Sequence, residues 1–303
     1  EDGELRAFYN ACRHHGAQLL DDGPGCIPRD ARGGCRVRCP YHGWEYATDG
    51  RLAKATRIGG MEGFRREDFG LVPVRCEALG PWVFVNLADG GAGLTEETDL
   101  AEAHGMLRET GYEDMVHIRT VEYDVPCNWK VFVDNYCDGG YHVPHAHPGL
   151  SSSLDEASYS STIHSTFSVQ RCRGGDAPPH RAGGDARVGG TALYVFAYPT
   201  LMVNRYGPWM DTNVVVPLTE RTCRVVFDYY LERGAAVEVE RDLEESAQVQ
   251  REDHELCRRV QAGLESGGYD RGRYAPQVET PMFHFHQLLA ADLDAALEAR
   301  GTN

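Results

Sequence analysis

The alternation of apolar and polar residues divides the chain into two regions. Up to about residue 87, short alternating segments are separated by Gly and Pro, and the hairpin turn Asp49-Gly50 joins two of them. Further on, apolar residues recur with helical or strand spacing in longer segments. The elements predicted there are helices over 129–138 and 236–265 and strands over 192–204, 211–217 and 223–231. The pattern predicts a small β domain followed by an α+β domain.

A change in composition marks the boundary between these regions. Residues 88–93 read Ala-Asp-Gly-Gly-Ala-Gly, which is typical of a linker. We therefore predict domains at 1–95 and 96–303, a division that suits a chain of 303 residues. The segment 173–190, rich in Gly and Pro without periodicity, is predicted to be a mobile surface loop. Because the chain opens at Glu1 without Met, we expect that its natural N-terminus and any targeting peptide precede that residue.

Composition excludes several kinds of partner. A net charge of −16 disfavours binding to nucleic acid or anionic lipid, both of which need clustered Lys and Arg. Apolar runs such as 82–85 are far shorter than the ~20 residues that cross a bilayer, so no membrane span is expected. The 10 Cys are mostly scattered through apolar segments, which favours a reducing compartment over a disulfide scaffold. Small molecules and other proteins remain as partners.

Two short motifs near the N-terminus predict an iron–sulfur cluster. The sequences CRH at 12–14 and CPYH at 39–42 each place a thiolate close to an imidazole, and Gly follows each His segment, where the backbone must turn tightly. A Rieske [2Fe–2S] centre holds one iron on two Cys and the other on two His. Cys12, His14, Cys39 and His42 fit that ligand set.

The same ligands would also suit a tetrahedral zinc site, although zinc motifs usually pair Cys with Cys and His with His. The gap between His14 and Cys39 is 24 residues long and contains Cys26 and Cys35. We expect both of these to be unligated thiols in an inserted loop, and the alternative is that one replaces a predicted Cys ligand. His15 is expected beside the ligands rather than among them.

The segment 134–147, DNYCDGGYHVPHAH, predicts a second metal site. A facial triad of two His and one carboxylate leaves positions for O₂ on Fe(II). His142 and His147 are the predicted pair, and His145 competes for either place. Pro144 argues against one continuous helix through both ligands. The alternative is that all three imidazoles lie on the surface.

Helical periodicity selects the carboxylate. At ~100° per residue, Asp253 falls in the centre of an apolar stripe on the long C-terminal helix, whereas Glu252 lies on its flank. The stripe consists of Val249, Leu256, Val260 and Leu264. A buried carboxylate without a partner costs several kcal/mol, so Asp253 is expected beside a cation. That cation is the iron or, in the alternative, an arginine in a structural salt bridge.

These motifs resemble a known family. The segments CPYHGWEY, 134–147, 192–218 and 248–264 are similar to the choline monooxygenase branch of the Rieske non-haem iron oxygenases, the ring-hydroxylating alpha subunits. The resemblance implies an α+β fold, with a Rieske β domain before a helix-grip catalytic domain of antiparallel sheet and long C-terminal helix. It also implies a [2Fe–2S] cluster, a mononuclear Fe(II) on His142, His147 and Asp253, and a homotrimer or related oligomer.

The family also places a bridging acid, which relays electrons to the iron, shortly before the first His ligand. Here the pair Gly139-Gly140 adds a residue, so Asp138 lies four positions before His142. Asp138 is the predicted bridging acid because a helix that ends at the glycines can turn it toward the site. Asp134 is the second choice, and a solvated acid at a helix end is the alternative for either.

By the resemblance, the expected reaction is hydroxylation of a small quaternary amine with O₂, most simply choline to betaine aldehyde hydrate in glycine betaine synthesis. Another betaine, a carnitine-like amine or an aromatic ring is the alternative substrate. A Rieske electron carrier without an active site is the rival from another class. The sequence lacks a Gly-x-Gly-x-x-Gly fingerprint, so a ferredoxin or separate reductase must supply electrons. The expected location is the cytoplasm of a bacterium or the plastid stroma of a plant or alga.

A trimethylammonium group is held by aromatic faces through cation–π attraction. Tyr194, Phe196 and Tyr198 alternate and therefore share one face of a strand. Further aromatic residues in segments that carry the resemblance are Tyr206, Trp209, Phe283 and Phe285. Trp209 and Tyr206 are the candidate substrate-binding residues, and ordinary core packing is the alternative for the whole set.

Overall fold

A computed structural model describes residues 2–29, 33–87, 99–174 and 190–301. The chain divides into two compact units, Glu1–Glu97 and Thr98–Asn303, each with a hydrophobic core of its own. The predicted linker at 88–93 and nearly all of the predicted loop at 173–190 lie outside the described residues. No helix in the described part of the chain is both long enough and apolar enough to span a bilayer.

The first unit contains two small antiparallel sheets, ordered β2-β3-β4 and β1-β5-β6. The strands are β1 Ala7–Phe8, β2 Arg36–Arg38, β3 Glu45–Ala47, β4 Leu52–Lys54, β5 Pro73–Leu79 and β6 Trp82–Asn86, and a 3₁₀ turn spans Arg66–Phe69. The predicted hairpin turn joins β3 to β4, and its Gly50 has a left-handed φ of 86°. Trp44 and Tyr46 are completely buried in the core of this unit.

The second unit is built on one antiparallel sheet of seven strands, ordered β7-β13-β12-β11-β10-β9-β8. The strands are β7 Val116–Val125, β8 Leu154–Ile163, β9 Phe167–Gly174, β10 Thr191–Ala197, β11 Leu201–Tyr206, β12 Trp209–Pro217 and β13 Cys223–Leu231. One strand predicted over 192–204 is therefore two. Pro199 lies in the turn between them, and proline cannot donate a ladder hydrogen bond.

Helices accompany this sheet, and most of them contribute to its core. They are α1 Leu100–Arg108, α2 Trp129–Tyr136, α3 Val143–Ala146, α4 Pro148–Ser151, α5 Val239–Glu265 and α6 Thr280–Gly301, with a 3₁₀ turn at Tyr112–Asp114. The predicted α+β class, with a β unit followed by an antiparallel sheet and a long helix, is confirmed.

The apolar stripe predicted on α5 is only partly correct. Asp253 is buried as expected, and Leu243 and Cys257 share its buried face. Val260 and Leu264, in contrast, are 51% and 43% exposed. The covering core ends near Cys257, so the last turns of α5 face solvent although their apolar spacing continues.

Candidate metal centres

Two loops of the first unit repeat one backbone geometry. They begin at Cys12 and Cys39. In each loop the N–H of the Cys donates to the carbonyl of the residue five positions later, Ala17 or Trp44. The carbonyl of the same Cys accepts from the N–H of the residue four positions later, and all four hydrogen bonds measure 2.8–3.1 Å. The residues at that fourth position, Gly16 and Gly43, both have a left-handed φ of 73°. Because a side chain would strain this conformation, the glycines of the two motifs are explained by the turns.

These loops bring the four predicted cluster ligands together. The Cys12 and Cys39 side chains are buried in one core cluster, and the His14 and His42 ring centroids lie 4.8 Å apart. His14 stacks on Trp44 at 4.5 Å, and its buried Nδ1 has no hydrogen-bond partner among the described residues. A buried ring nitrogen in that state fits a metal ligand. Two thiols and two imidazoles are the donor set of a Rieske cluster.

The other sulfur and imidazole groups of this unit are placed differently. His15 lies 4.0 Å from His14, measured between ring centroids, so it adjoins the predicted ligands. Cys26 is exposed, and Cys35 is half-buried in an isolated bridge with Arg29. Neither cysteine lies in the repeated loops.

In the second unit, three side chains point their metal-binding atoms at one another. The Nε2 atoms of His142 and His147 are 3.1 Å apart, and Asp253 Oδ1 lies 3.4 Å and 3.0 Å from them. His142 precedes α3, His147 separates α3 from α4, and Asp253 lies within α5. His145 is exposed and points no atom into this cluster. The arrangement matches a facial triad.

Two further carboxylates hold the opposite ring nitrogens. His142 Nδ1 lies 2.6 Å from Asp138 Oδ2, and His147 Nδ1 lies 2.7 Å from Glu252 Oε2. Such outer carboxylates orient an imidazole and leave its other nitrogen for a metal. Helical periodicity missed the role of Glu252 because its side chain reaches His147 from the flank of α5.

Charge in this centre favours a cation. Burial by itself would lower the pKa of His142, but hydrogen bonds to Asp138 and Asp253 outweigh it and raise that pKa to about 10. Burial likewise opposes a raised pKa for His147, and its bonds to Asp253 and Glu252 prevail. Burial would raise the pKa of Asp253, yet the two imidazoles hold it below its usual range. Three carboxylates around two imidazoles suit a divalent cation, which would replace the protons on the Nε2 atoms.

The loop after α2 explains how Asp138 reaches His142 across an extra residue. Gly139 and Gly140 both have left-handed φ angles, 74° and 75°. They fold the loop so that the Asp138 carboxylate accepts from the N–H groups of Gly140, Tyr141 and His142. A Cβ on Gly139 would overlap the Val278 carbonyl, so this path requires glycine.

Neighbouring residues of α2 have other contacts. Asp134 Oδ1 lies 2.7 Å from His286 Nε2 on α6, and no hydrogen bond or ion pair joins it to His142 in the described residues. Asn135 donates to Asp253 Oδ1 at 2.7 Å. Of the two acids considered as the bridge, Asp138 is therefore the one that touches a predicted iron ligand.

A cavity of about 130 Å³ adjoins the triad. Its walls carry the aromatic rings of Phe132, Tyr136, Tyr159 and Tyr194 and the amides of Asn135, Gln170, Asn204, Asn213 and Gln250. The Tyr159 and Tyr194 rings are nearly parallel, at 12°, with centroids 6.5 Å apart. The cavity thus offers aromatic faces a short distance from the iron site.

The two predicted substrate-binding residues do not line this cavity. Tyr206 and Trp209 pair with each other at the end of the β11–β12 hairpin. The Tyr206 hydroxyl donates to Asp211 at 2.5 Å, and Trp209 Nε1 donates to Asp242 at 2.9 Å. Both side chains are buried and hydrogen-bonded away from this cavity, so the structure does not bring them to the iron site. The alternating pattern in β10 did include Tyr194, which reaches the cavity, whereas Phe196 belongs to the core.

Two known protein families match this chain, one in each of its two units. Residues 112–295 match the ring-hydroxylating alpha subunit (catalytic domain), and residues 1–65 match the Rieske [2Fe-2S] domain. The chain belongs to this family. It is accordingly an iron oxygenase with a [2Fe–2S] cluster and a mononuclear iron, which removes the zinc site and the pure electron carrier as alternatives.

Curated relatives cover nearly the whole chain. The chloroplastic choline monooxygenase of Arabidopsis thaliana is 47% identical over 97% of this chain and 70% of its own length. That of Spinacia oleracea is 36% identical over 94% of this chain and 64% of its own length. The carnitine monooxygenase oxygenase subunit of Escherichia coli K12 is 30% identical over 95% of this chain and 78% of its own length. The chain thus spans less than two thirds of the spinach relative.

Solved structures agree with this assignment. The quaternary ammonium Rieske monooxygenase CntA, in complex with an inhibitor, has a TM-score of 0.77 and 27% identity. The match covers 96% of this chain and 79% of that one.

Proposed function

We propose that the chain hydroxylates choline, with O₂ as oxidant and electrons delivered by a ferredoxin or separate reductase, to give betaine aldehyde hydrate. The observation that carries this proposal is the cavity beside His142, His147 and Asp253, whose lining combines aromatic rings, amides and carboxylates. The choline monooxygenases among its relatives support it.

Aromatic rings suit the cationic end of choline. A trimethylammonium group donates no strong hydrogen bond and is attracted to ring faces, by ~0.5–2 kcal/mol per ring. Tyr159 and Tyr194 form a nearly parallel pair of rings on the cavity wall. Tyr159 is fixed by a hydrogen bond from its hydroxyl to Gln170 at 3.0 Å. We assign the cation to these two rings.

The charge of the lining favours choline over carnitine or glycine betaine. Among the described residues that line the cavity there is no Lys or Arg, whereas Asp138 and Asp253 are present. The carboxylate of a betaine would be desolvated there with no Lys or Arg as a partner, and the charge of Fe(II) would already be offset by Asp253 and the nearby Asp138, which makes its burial costly. The hydroxyl of choline needs only the amide groups.

Each residue of the two metal sites is assigned a role. We assign Fe(II) to His142, His147 and Asp253; when bound, it would supply activation of O₂. Asn135 holds the Asp253 carboxylate, and Glu252 holds the His147 ring. Asp138, which contacts His142, is assigned as the bridging acid, and Cys12, His14, Cys39 and His42 as the cluster ligands.

The proposal also covers the domains of the chain, its oligomeric state and its location in the cell. We assign the cluster to a domain at 1–95 and the iron to a domain at 96–303, within a homotrimer or related oligomer. Inter-subunit electron transfer has been described for a quaternary ammonium Rieske monooxygenase of similar fold. Because the plant relatives are chloroplastic, we propose the plastid stroma for a plant or algal chain and the cytoplasm for a bacterial one.

The test supplies holoprotein, reduced ferredoxin and O₂ with choline, carnitine, glycine betaine or a simple arene. We expect betaine aldehyde from choline, coupled to oxygen uptake. Tyr194→Leu should raise KM for choline about 2- to 30-fold, because one cation–π contact is lost. Tyr194→Phe keeps the ring and should change KM little. Turnover of carnitine or the arene without choline turnover would refute the proposal.

A further inference from the structure

A buried acid lies behind the wall of the cavity beside the iron site. Asp211 on β12 is 3% exposed, and two of its neighbours, Asn204 and Asn213, line the cavity. Tyr194, Asn204 and Asp211 are successive cross-strand partners on β10, β11 and β12, and such partners point to the same face of a sheet. Asp211 is therefore two strands, or about 10 Å, from Tyr194, one of the rings assigned to the substrate cation.

The Asp211 carboxylate accepts hydrogen bonds from three neutral groups. Asn204 Nδ2 and Asn213 Nδ2 each donate to its Oδ1 at 2.7 Å, and the Tyr206 hydroxyl donates to its Oδ2 at 2.5 Å. Hydrogen bonds of this kind favour the ionised form of a carboxylate. A negative charge is thus held close behind the cavity wall.

The same hydrogen bonds fix the orientation of two cavity amides. An ionised carboxylate can only accept, so the amide atoms that face Asp211 are nitrogens. Asn204 Oδ1 accepts from the Tyr136 hydroxyl at 2.7 Å, and Asn213 Oδ1 accepts from Asn204 Nδ2 at 3.2 Å. Tyr136, Asn204 and Asn213 all line the cavity. Asp211 therefore anchors a hydrogen-bonded chain that reaches three residues of the cavity lining.

Another buried acid of this unit provides a contrast. Asp242 is also 3% exposed, and it accepts from Trp209 Nε1 at 2.9 Å and from Arg241 Nη2 at 3.1 Å. None of these three residues lines the cavity. Asp242 is thus matched to Asp211 in burial and residue type but is not connected to the substrate site.

We propose that Asp211 is a positioning residue that makes the cavity selective for a cationic substrate. Its charge attracts the cation through the wall, and its hydrogen bonds hold Asn204 and Asn213 in place. At an effective dielectric constant of ~20, two unit charges ~10 Å apart change the affinity about 15-fold. The inference rests on the proposed function, from which it takes the assignment of the cation to Tyr159 and Tyr194.

A pair of ligands that differ only in charge tests this inference. Choline and 3,3-dimethyl-1-butanol have nearly the same shape, and only choline is a cation. The Kd of each is measured by calorimetry with holoprotein in the absence of an electron donor. Wild-type protein should bind choline at least about tenfold more tightly than the neutral analogue.

Removing the charge of Asp211 should reduce this preference. Asp211→Asn keeps the size of the side chain, so it should raise the Kd of choline about 5- to 20-fold and that of the neutral analogue less than about twofold. A merely structural role would raise both Kd values equally. Asp242→Asn, the matched control, should leave the ratio of the two Kd values unchanged.

An exchange of the two partners separates charge from folding. Asn204→Asp/Asp211→Asn keeps one carboxylate and one amide in the same cross-strand pair, so the preference for choline should return to at least the wild-type level. This variant decides the question if Asp211→Asn does not fold. An unchanged preference in Asp211→Asn, an equal rise of both Kd values, or no recovery in the exchange variant would overturn the inference. Wild-type protein that binds choline no better than the neutral analogue would instead refute the proposed function.

Discussion

The two metal centres of this chain differ in how they meet solvent. In the first unit, His42 and Tyr41 are exposed at the tip of a tight turn. In the second, His147 and Asp253 are 2% and 8% exposed and line a cavity. A centre that receives electrons from another protein has to reach the surface, whereas one that activates O₂ beside a substrate benefits from exclusion of water.

They also differ in what orients their imidazoles. In the first centre, two backbone turns with glycine at the same position present the ligands, and His14 Nδ1 has no hydrogen-bond partner in the part of the chain that the structure describes. In the second, carboxylate side chains hold the Nδ1 atoms of His142 and His147. The first centre is therefore positioned by main-chain conformation, and the second by contacts between side chains, one of them local and one between residues distant in sequence.

Removing the carboxylate ligand should separate the two centres most strongly. Asp253→Ala is expected to abolish mononuclear iron and turnover while the cluster spectrum survives, because the cluster residues belong to the other unit. Iron content should fall from about three to about two per chain, with sulfide unchanged. Glu255→Ala, at a partly exposed position of the same helix, serves as the control. Loss of the cluster together with the iron would show that the centres are not independent.

Replacing the bridging acid should uncouple the centres without emptying either. Asp138→Asn keeps the size of the side chain and loses its charge, so both metals should load while electron transfer from cluster to iron slows about 10- to 100-fold. Reoxidation of the reduced cluster in a single turnover measures this. Asp134→Asn, which affects the contact with His286, should be nearly normal. The reverse order would assign the bridge to Asp134.

The smallest expected effect concerns the residue that orients His147. Glu252→Ala should weaken Fe(II) affinity about 10- to 100-fold, the usual loss when an outer carboxylate of a metal-bound His is removed. Glu252→Gln, which keeps an acceptor oxygen, should lose less. Titration of metal-depleted protein with Fe(II) under anaerobic conditions measures both. Unchanged affinity in Glu252→Ala would mean that burial alone orients His147.

Much of the local chemistry could be predicted from the sequence. The spacing within CRH, CPYH and the segment 134–147 identified the ligand types, because residues so close in sequence share a turn or a helix end whatever the rest of the fold does. Periodicity placed Asp253 on the buried face of α5, although the same stripe failed at Val260 and Leu264. That failure is physical, because spacing defines a helix face but not where the covering core ends.

Contacts across long distances in sequence were decided only by the tertiary structure. The pairing of Glu252 with His147, and the placing of Tyr159 instead of Trp209 on the cavity wall, depend on strand register and on how α5 lies against the loops after α2. Asp138 depends on both the sequence and the tertiary structure. Its place near a predicted ligand could be read from the chain, but its contact with His142 required two left-handed glycines to reverse the backbone. The sequence by itself thus determined which groups could bind metal, and packing determined which of them meet.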